Sequence, residues 1–169
     1  MTPSTRRGVK EGLEFGLIAG LIFALAEIVA AALMGDPPLS ALRLFASVLL
    51  GHAALETAAL GRVVLVGAIA HLLLSAVFGV VYGLFAAVLA PDMQTNWRKQ
   101  AWIGLAFGAS VWLVNFQIFA GILYPWFQKT PQLLQVSLHA AFFGLPLALM
   151  YVAAERRTRP VQRASTLAH

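Results

Sequence analysis

The sequence predicts an all-α integral membrane protein: a four-helix bundle with one additional amphipathic helix in the membrane interface after the first span. The chain of 169 residues is 60% hydrophobic and only 11% charged, a composition too apolar for an ordinary soluble domain. Crossing a bilayer takes roughly 20 apolar residues at about 1.5 Å each. Four segments meet that length, at residues 12–34, 63–90, 101–124 and 131–154.

The link between the first two spans predicts a helix that lies along the membrane surface. Gly35-Asp36-Pro37-Pro38 is a strong helix stop. Apolar side chains then recur at helical spacing over residues 39–57, a segment that also contains Arg43. A charged residue within an amphipathic pattern favours an interfacial helix over a fifth span.

The basic residues predict the orientation of the chain. Nine of the twelve fall on the side of the N-terminus and three on the other, so the positive-inside rule places residues 1–11 and 155–169 in the cytoplasm of a bacterial inner membrane. We expect the tail 155–169, which is polar and proline-interrupted, to be disordered. Because these charges flank the spans, they do not indicate nucleic-acid binding. The nine are Arg6, Arg7, Lys10, Arg98, Lys99, Arg156, Arg157, Arg159 and Arg163, against Arg43, Arg62 and Lys129.

Small residues at four-residue spacing predict the faces on which the helices pack, because helices in lipid associate through close backbone approach. His71 lies on such a stripe in the second span, so we expect it to face protein rather than lipid. Ser75 and Tyr82 lie close to the same stripe. The glycine faces are also candidate contacts for a homodimer or a membrane partner subunit. The glycines concerned are Gly16, Gly20, Gly67, Gly79, Gly83, Gly104 and Gly108.

Each span brings a polar group to a similar depth, roughly 10 Å below the outer surface. The groups are Glu27, His71, Asn115 and His139, with Gln117 near Asn115. A buried carboxylate is costly unless it is paired, protonated or hydrated. Glu27 with His71 or His139 would therefore form a site whose proton responds to external pH.

Three interpretations of this polar centre remain open from the residues alone. It is a hydrogen-bonded cluster that fixes helix register, a site that handles protons or a small solute, or a cofactor site. In the last case His71 and His139 would ligate haem, or bind a divalent metal together with Glu27. The chain has no cysteine and no catalytic motif, so we expect a non-enzymatic protein.

Several short motifs resemble the YagU-like family of small bacterial inner-membrane proteins. They are GLIAG at residues 16–20, Pro37-Pro38, the pattern Gly67-x3-His71-x3-Ser75-x2-Phe78-x3-Tyr82, the pair Gly104 and Gly108, and the final span with His139 followed by Arg156-Arg157. The resemblance implies a four-span inner-membrane protein with a link to acid tolerance and no established catalytic activity. Histidines matching His71 and His139 belong to the resemblance, whereas Glu27 does not.

Overall fold

The computed structural model describes residues 2–57 and 59–167, and within them it contains helices and no strand. This confirms the predicted all-α class. Four of the helices are long and apolar enough to cross a membrane, as the sequence predicts. We refer to them in chain order as the first to fourth long helices: Ser4–Leu33, Leu60–Ala87, Trp97–Leu123 and Gln132–Thr158.

Two of the long helices are interrupted by a π-helical segment. These segments are Leu113–Phe119 in the third long helix and His139–Gly144 in the fourth. Short 3-10 turns occupy His52–Leu55 and Pro125–Lys129. The α-helices are α1 Pro3–Leu33, α2 Ser40–Leu50, α3 Leu60–Ala87, α4 Pro91–Thr95, α5 Trp97–Trp112, α6 Ala120–Leu123, α7 Gln132–Leu138 and α8 Leu145–Leu167.

α1 begins at Pro3, nine residues before residue 12, where the sequence predicts the first span to start. The Thr2 hydroxyl accepts a hydrogen bond from the Thr5 N–H at 3.2 Å, which satisfies an amide of the first turn. One turn further on, the Arg7 guanidinium pairs with Glu11 at 2.7 Å. The polar residues before the apolar run therefore continue the same helix.

The fourth long helix extends beyond Ala154, where the sequence analysis ends the last span. Arg7 also pairs with Glu155 at 3.0 Å, and Arg156 Nε donates to the Thr95 carbonyl oxygen at 2.9 Å. These contacts anchor the start of the tail, and α8 continues to Leu167. Residues 168–169 lie outside the described residues, and disorder of the tail stays a prediction.

The first and second long helices run antiparallel and touch backbone to backbone. A Cβ at Gly12 would lie 2.6 Å from the Gly79 carbonyl oxygen, and a Cβ at Gly16 would lie 2.6 Å from the Ser75 oxygen. Gly83 contacts Gly8 in the same way at the other end. The predicted glycine faces thus pack against each other within one chain, because only a missing side chain permits this separation.

Gly67 does not belong to that contact. It packs against the Leu42 carbonyl group and the Ala46 amide of α2. Gly67 is therefore a packing residue, as predicted, but its partner is α2 and not the first long helix, because α2 covers this end of the second long helix.

The third and fourth long helices use a second glycine contact. A Cβ at Gly104 would lie 2.5 Å from the Gly144 carbonyl oxygen, and one at Gly108 would lie 2.7 Å from the Ala140 Cα. The sequence analysis identifies Gly104 and Gly108 but misses Gly144. A lone glycine in a helix without a glycine stripe gives no periodic signal.

The predicted amphipathic helix corresponds to α2 and the following 3-10 turn, within the predicted range 39–57. Its Arg43 guanidinium donates to the carbonyl oxygens of Leu55 and Thr57 at 2.9 and 3.1 Å. Trp126 Nε1 donates to the Ser47 hydroxyl at 2.8 Å. The Arg43 contacts therefore hold α2 to the chain that follows it, and the Trp126 contact ties α2 to the segment after the third long helix.

The link between the second and third long helices carries an exposed ion pair. Lys99 Nζ lies 2.6 Å from an Asp92 carboxylate oxygen. The hydrogen bond from Lys99 holds the pKa of Asp92 below its ordinary value.

Candidate functional site

A pocket of about 330 Å³ lies between α2 and the four long helices, and three of the four predicted polar residues line it. His71 comes from the second long helix, Asn115 from the third and His139 from the fourth. These residues are distant in sequence, so only the fold brings them together. We call this space the central pocket.

His71 is fixed by the backbone of the first long helix. The residue is 5% exposed, and its Nε2 lies 2.8 Å from the Gly20 carbonyl oxygen. A carbonyl oxygen cannot donate, so Nε2 carries the hydrogen of this bond. The imidazole also stacks on Phe45 of α2, with ring centroids 4.6 Å apart. The prediction that His71 faces protein is confirmed.

His139 is fixed by its own helix. Its Nδ1 lies 2.8 Å from the Gln135 carbonyl oxygen, so Nδ1 is the donor here. The opposite nitrogen, Nε2, has no hydrogen-bond partner within residues 2–57 and 59–167. The side chain is 4% exposed and lines the central pocket.

Phe23 of the first long helix contacts both imidazoles. Its ring centroid is 5.5 Å from that of His71 and 4.4 Å from that of His139. The two histidines therefore share one aromatic neighbour. The sequence analysis misses Phe23, because an aromatic residue in an apolar span carries no separate signal.

Glu27 is buried beside the pocket but pairs with neither histidine. Its Oε2 accepts a hydrogen bond from Gln135 Nε2 at 3.2 Å. Its Oε1 is buried without a hydrogen-bond partner in the described part of the chain. The predicted Glu27–histidine pair is thus replaced by an indirect link in which Gln135 contacts both Glu27 and His139. Gln135 lies one turn before His139, and that spacing is the signal that could have found it.

Asn115 lies in the first π-helical segment and faces the central pocket half-buried. Its side-chain amide makes no hydrogen bond to any residue that the structure describes. Gln117 points elsewhere: it is exposed, and its Nε2 donates to the Gln132 Oε1 at 2.9 Å. The two amides therefore have different surroundings, although they are two residues apart.

Ser75 lines the central pocket, whereas Tyr82 lies outside it. The Ser75 hydroxyl donates to the His71 carbonyl oxygen at 2.8 Å, which leaves the imidazole untouched. The Tyr82 hydroxyl donates to the Gln100 Oε1 at 2.5 Å, and both side chains are fully buried. Ser75 and Tyr82 therefore make two separate contacts, although they lie near the same stripe. The buried partner Gln100 is absent from the sequence analysis.

Both π-helical segments border the central pocket. A π turn holds one residue more than an α turn, so it shifts the side chains that follow it relative to the α-helical pattern. Leu113–Phe119 contributes Asn115 and Phe116, and His139–Gly144 contributes His139 and Phe143. Such segments are frequent at functional sites.

A larger pocket, of about 530 Å³, lies near the start of the first long helix. Arg7, Glu11 and Glu155 line it. Arg7 forms ion pairs with both Glu11 and Glu155, although its Nη2 is buried without a hydrogen-bond partner in the described part of the chain. The central pocket combines a free amide with an imidazole nitrogen that has no partner, and it brings together three of the four polar residues that the sequence predicts, so we take it as the candidate site.

The histidines do not form a metal site in this arrangement. Over residues 2–57 and 59–167 there is no group of three His, Cys, Asp or Glu side chains that could hold a metal ion. His71 Nε2 is occupied by Gly20, and Glu27 by Gln135. The ring nitrogens that remain outside these hydrogen bonds are His71 Nδ1 and His139 Nε2, which are two of the three or more protein ligands that a zinc site uses.

Comparison of the chain with protein-family models, with curated proteins and with solved structures found no match. The resemblance to the YagU-like family stays a prediction.

Proposed function

We propose that this chain is a non-enzymatic, multi-pass inner-membrane protein that binds a small solute in the central pocket. One observation carries the proposal: His71, Asn115 and His139, from three different long helices, line the same pocket. Its volume of about 330 Å³ falls at the lower end of the range for small-molecule sites, about 300–1,000 Å³.

Solute binding is better supported than proton conduction. The two imidazoles share no hydrogen bond in the described part of the chain, and Glu27 reaches His139 only through Gln135. Proton transfer needs an unbroken chain of hydrogen bonds from one titratable group to the next. Here the two imidazoles and the Glu27 carboxyl group are each bonded to a backbone carbonyl or to a side-chain amide instead. Among the residues described, the polar centre is thus a binding surface.

The same site supports a response to pH. Imidazole is the side chain that ordinarily titrates near neutrality. The titratable groups around His139 are His71 and, through Gln135, Glu27. Protonation would place a positive charge in a pocket lined mainly by apolar rings, which opposes binding of a neutral solute. We therefore propose that the pocket binds its solute more weakly in acid. This pH dependence is how the protein would be linked to acid tolerance.

The membrane assignment rests on four long apolar helices and on the distribution of basic residues. We propose that the four long helices form a bundle in the membrane, with both termini in the cytoplasm. The glycines that would serve a homodimer already contact helices of the same chain. A homodimer or a partner subunit would therefore use other faces.

Indole, a small flat solute, tests the proposed pocket directly. We expect saturable binding of one indole per chain in mild detergent, measured by calorimetry. Ala120 is 2% exposed and lines the pocket, so Ala120→Leu fills part of it and should weaken binding about tenfold.

Ala32→Leu, at an exposed position of the first long helix, is the matched control and should bind like the parent. The proposal would be overturned if indole binding by the parent did not saturate, or if the parent and Ala120→Leu bound indole equally well.

A further inference from the structure

We propose that the ligand of the central pocket is a neutral, lipid-soluble planar ring that carries a hydroxyl group, and that it reaches the pocket from the lipid phase. This inference rests on the proposed function and names the class of solute.

The pocket wall selects a flat apolar molecule. Seven phenylalanines line it, and no Asp, Glu, Lys or Arg side chain does so in the part of the chain that the structure describes. Aromatic rings pack well against other rings in stacked or edge-to-face arrangements. A charged or strongly hydrated solute would lose its water without a compensating partner. The phenylalanines are Phe23, Phe45, Phe78, Phe116, Phe119, Phe127 and Phe143.

The two imidazoles select a ligand that donates a hydrogen bond. His139 donates through Nδ1, so the Nε2 of the neutral ring carries a lone pair. His71 donates through Nε2, so its Nδ1 carries the lone pair. Both neutral rings therefore offer acceptors. A carbonyl or ether oxygen on the ligand could not pair with them, whereas an O–H group could.

Asn115 complements this arrangement. Its amide has both a donor and an acceptor and no partner within the described residues, and the same holds for the hydroxyl of Tyr124, which also lines the pocket. A hydroxyl oxygen has lone pairs as well as a hydrogen. One hydroxyl group can thus donate to an imidazole and accept from Asn115, which an apolar ring or an ether cannot do together.

The open side of the pocket lies between the second and third long helices. Leu74 is 41% exposed, Phe119 54% and Leu123 56%, and all three line the pocket. They belong to segments apolar enough to span a membrane. A ligand that passes these side chains would come from lipid rather than from water.

Three probes of matched ring size test the inference: 1-naphthol, 1-methoxynaphthalene and naphthalene. The first donates a hydrogen bond, the second only accepts one, and the third does neither. We expect the parent in mild detergent to bind 1-naphthol about tenfold more tightly than either of the others.

Asn115→Leu and His139→Phe should remove this preference while naphthalene still binds as it does to the parent. Gln117→Leu is the matched control, because it changes an exposed amide of the same π-helical segment outside the pocket. It should keep the preference.

Equal affinity for the three probes would overturn the inference and leave the proposed function standing. If neither indole nor any of the three probes binds saturably, both the inference and the proposed function are overturned. Tighter binding of palmitate than of 1-naphthol would overturn the inference in favour of an acyl chain as the occupant.

Discussion

Gln135 joins two polar groups of the candidate site that do not touch each other. Its side-chain amide donates to Glu27 and its carbonyl oxygen accepts from His139. Since Glu27 Oε1 already lacks a partner in the described part of the chain, the Gln135 hydrogen bond is the contact that the structure gives this carboxyl group. A single residue thus determines how the carboxyl group is held and how one imidazole is oriented.

Replacing Gln135 with leucine should therefore destabilise the protein. The variant leaves both Glu27 oxygens buried and unpaired, which should lower the free energy of unfolding by about 1–2 kcal/mol. Detergent-titration unfolding followed by circular dichroism measures the change. Glu27→Leu/Gln135→Leu removes the unpaired group and should recover stability, whereas Gln117→Leu should match the parent. Parental stability of Gln135→Leu would show that the Glu27 contact is not needed.

Residue-scale reasoning from the sequence identifies His71 correctly and fails for the partner of Glu27. The glycine stripe identifies the face of His71 correctly, because backbone carbonyl groups are accessible along a helix face made of glycines. The carbonyl group of Gly20 accepts the hydrogen bond from His71. The phase of Glu27 gives its face but not its partner. That partner depends on the rotation of the fourth long helix, which no repeated pattern in the sequence determines.

At the scale of elements, glycine contacts set the separation of the long helices. Gly79 lies against Gly12 and Gly16, whereas Gly61 on the same helix has nothing within 4 Å of where its Cβ would be. The sequence predicts most of these contacts because the glycines repeat at a helical period. Two further features escape it, Gly144 and the two π-helical segments.

The two glycines give a matched pair of variants. Gly79→Ala should reduce the free energy of unfolding by about 1–3 kcal/mol, because the added methyl group forces two backbones apart. Gly61→Ala should raise it by about 0.5–1 kcal/mol, because alanine favours the helix and meets no neighbour. Thermal unfolding in detergent separates the two variants. Equal effects would mean that the first and second long helices are not in backbone contact.

The π-helical segments are a feature of the central pocket that helical periodicity does not predict. A π turn holds one residue more than an α turn. Asn115 faces the pocket and Gln117 is exposed, as expected for residues two apart on one helix. The extra residue is favoured by tertiary contacts of the whole segment, so local sequence periodicity does not reveal it.

At the scale of the whole molecule, the long helices form two close pairs, the first with the second and the third with the fourth. The glycines of each pair contact each other. The central pocket lies where the pairs and α2 meet, and Phe23 and Phe45 complete its wall. The sequence predicts the four long helices, but the space between the pairs depends on large side chains that are ordinary in a membrane span.

The central claim is that His71 and His139 belong to one ligand pocket. Nitrogen-15 NMR of histidine-labelled protein, titrated with 1-naphthol, tests it most directly, with His71→Phe and His139→Phe used to assign the signals. The account predicts that the signals of His71 and His139 shift along one saturation curve, while that of the exposed His52 stays fixed. Signals of His71 and His139 that stay fixed, or that saturate at different concentrations, would contradict it.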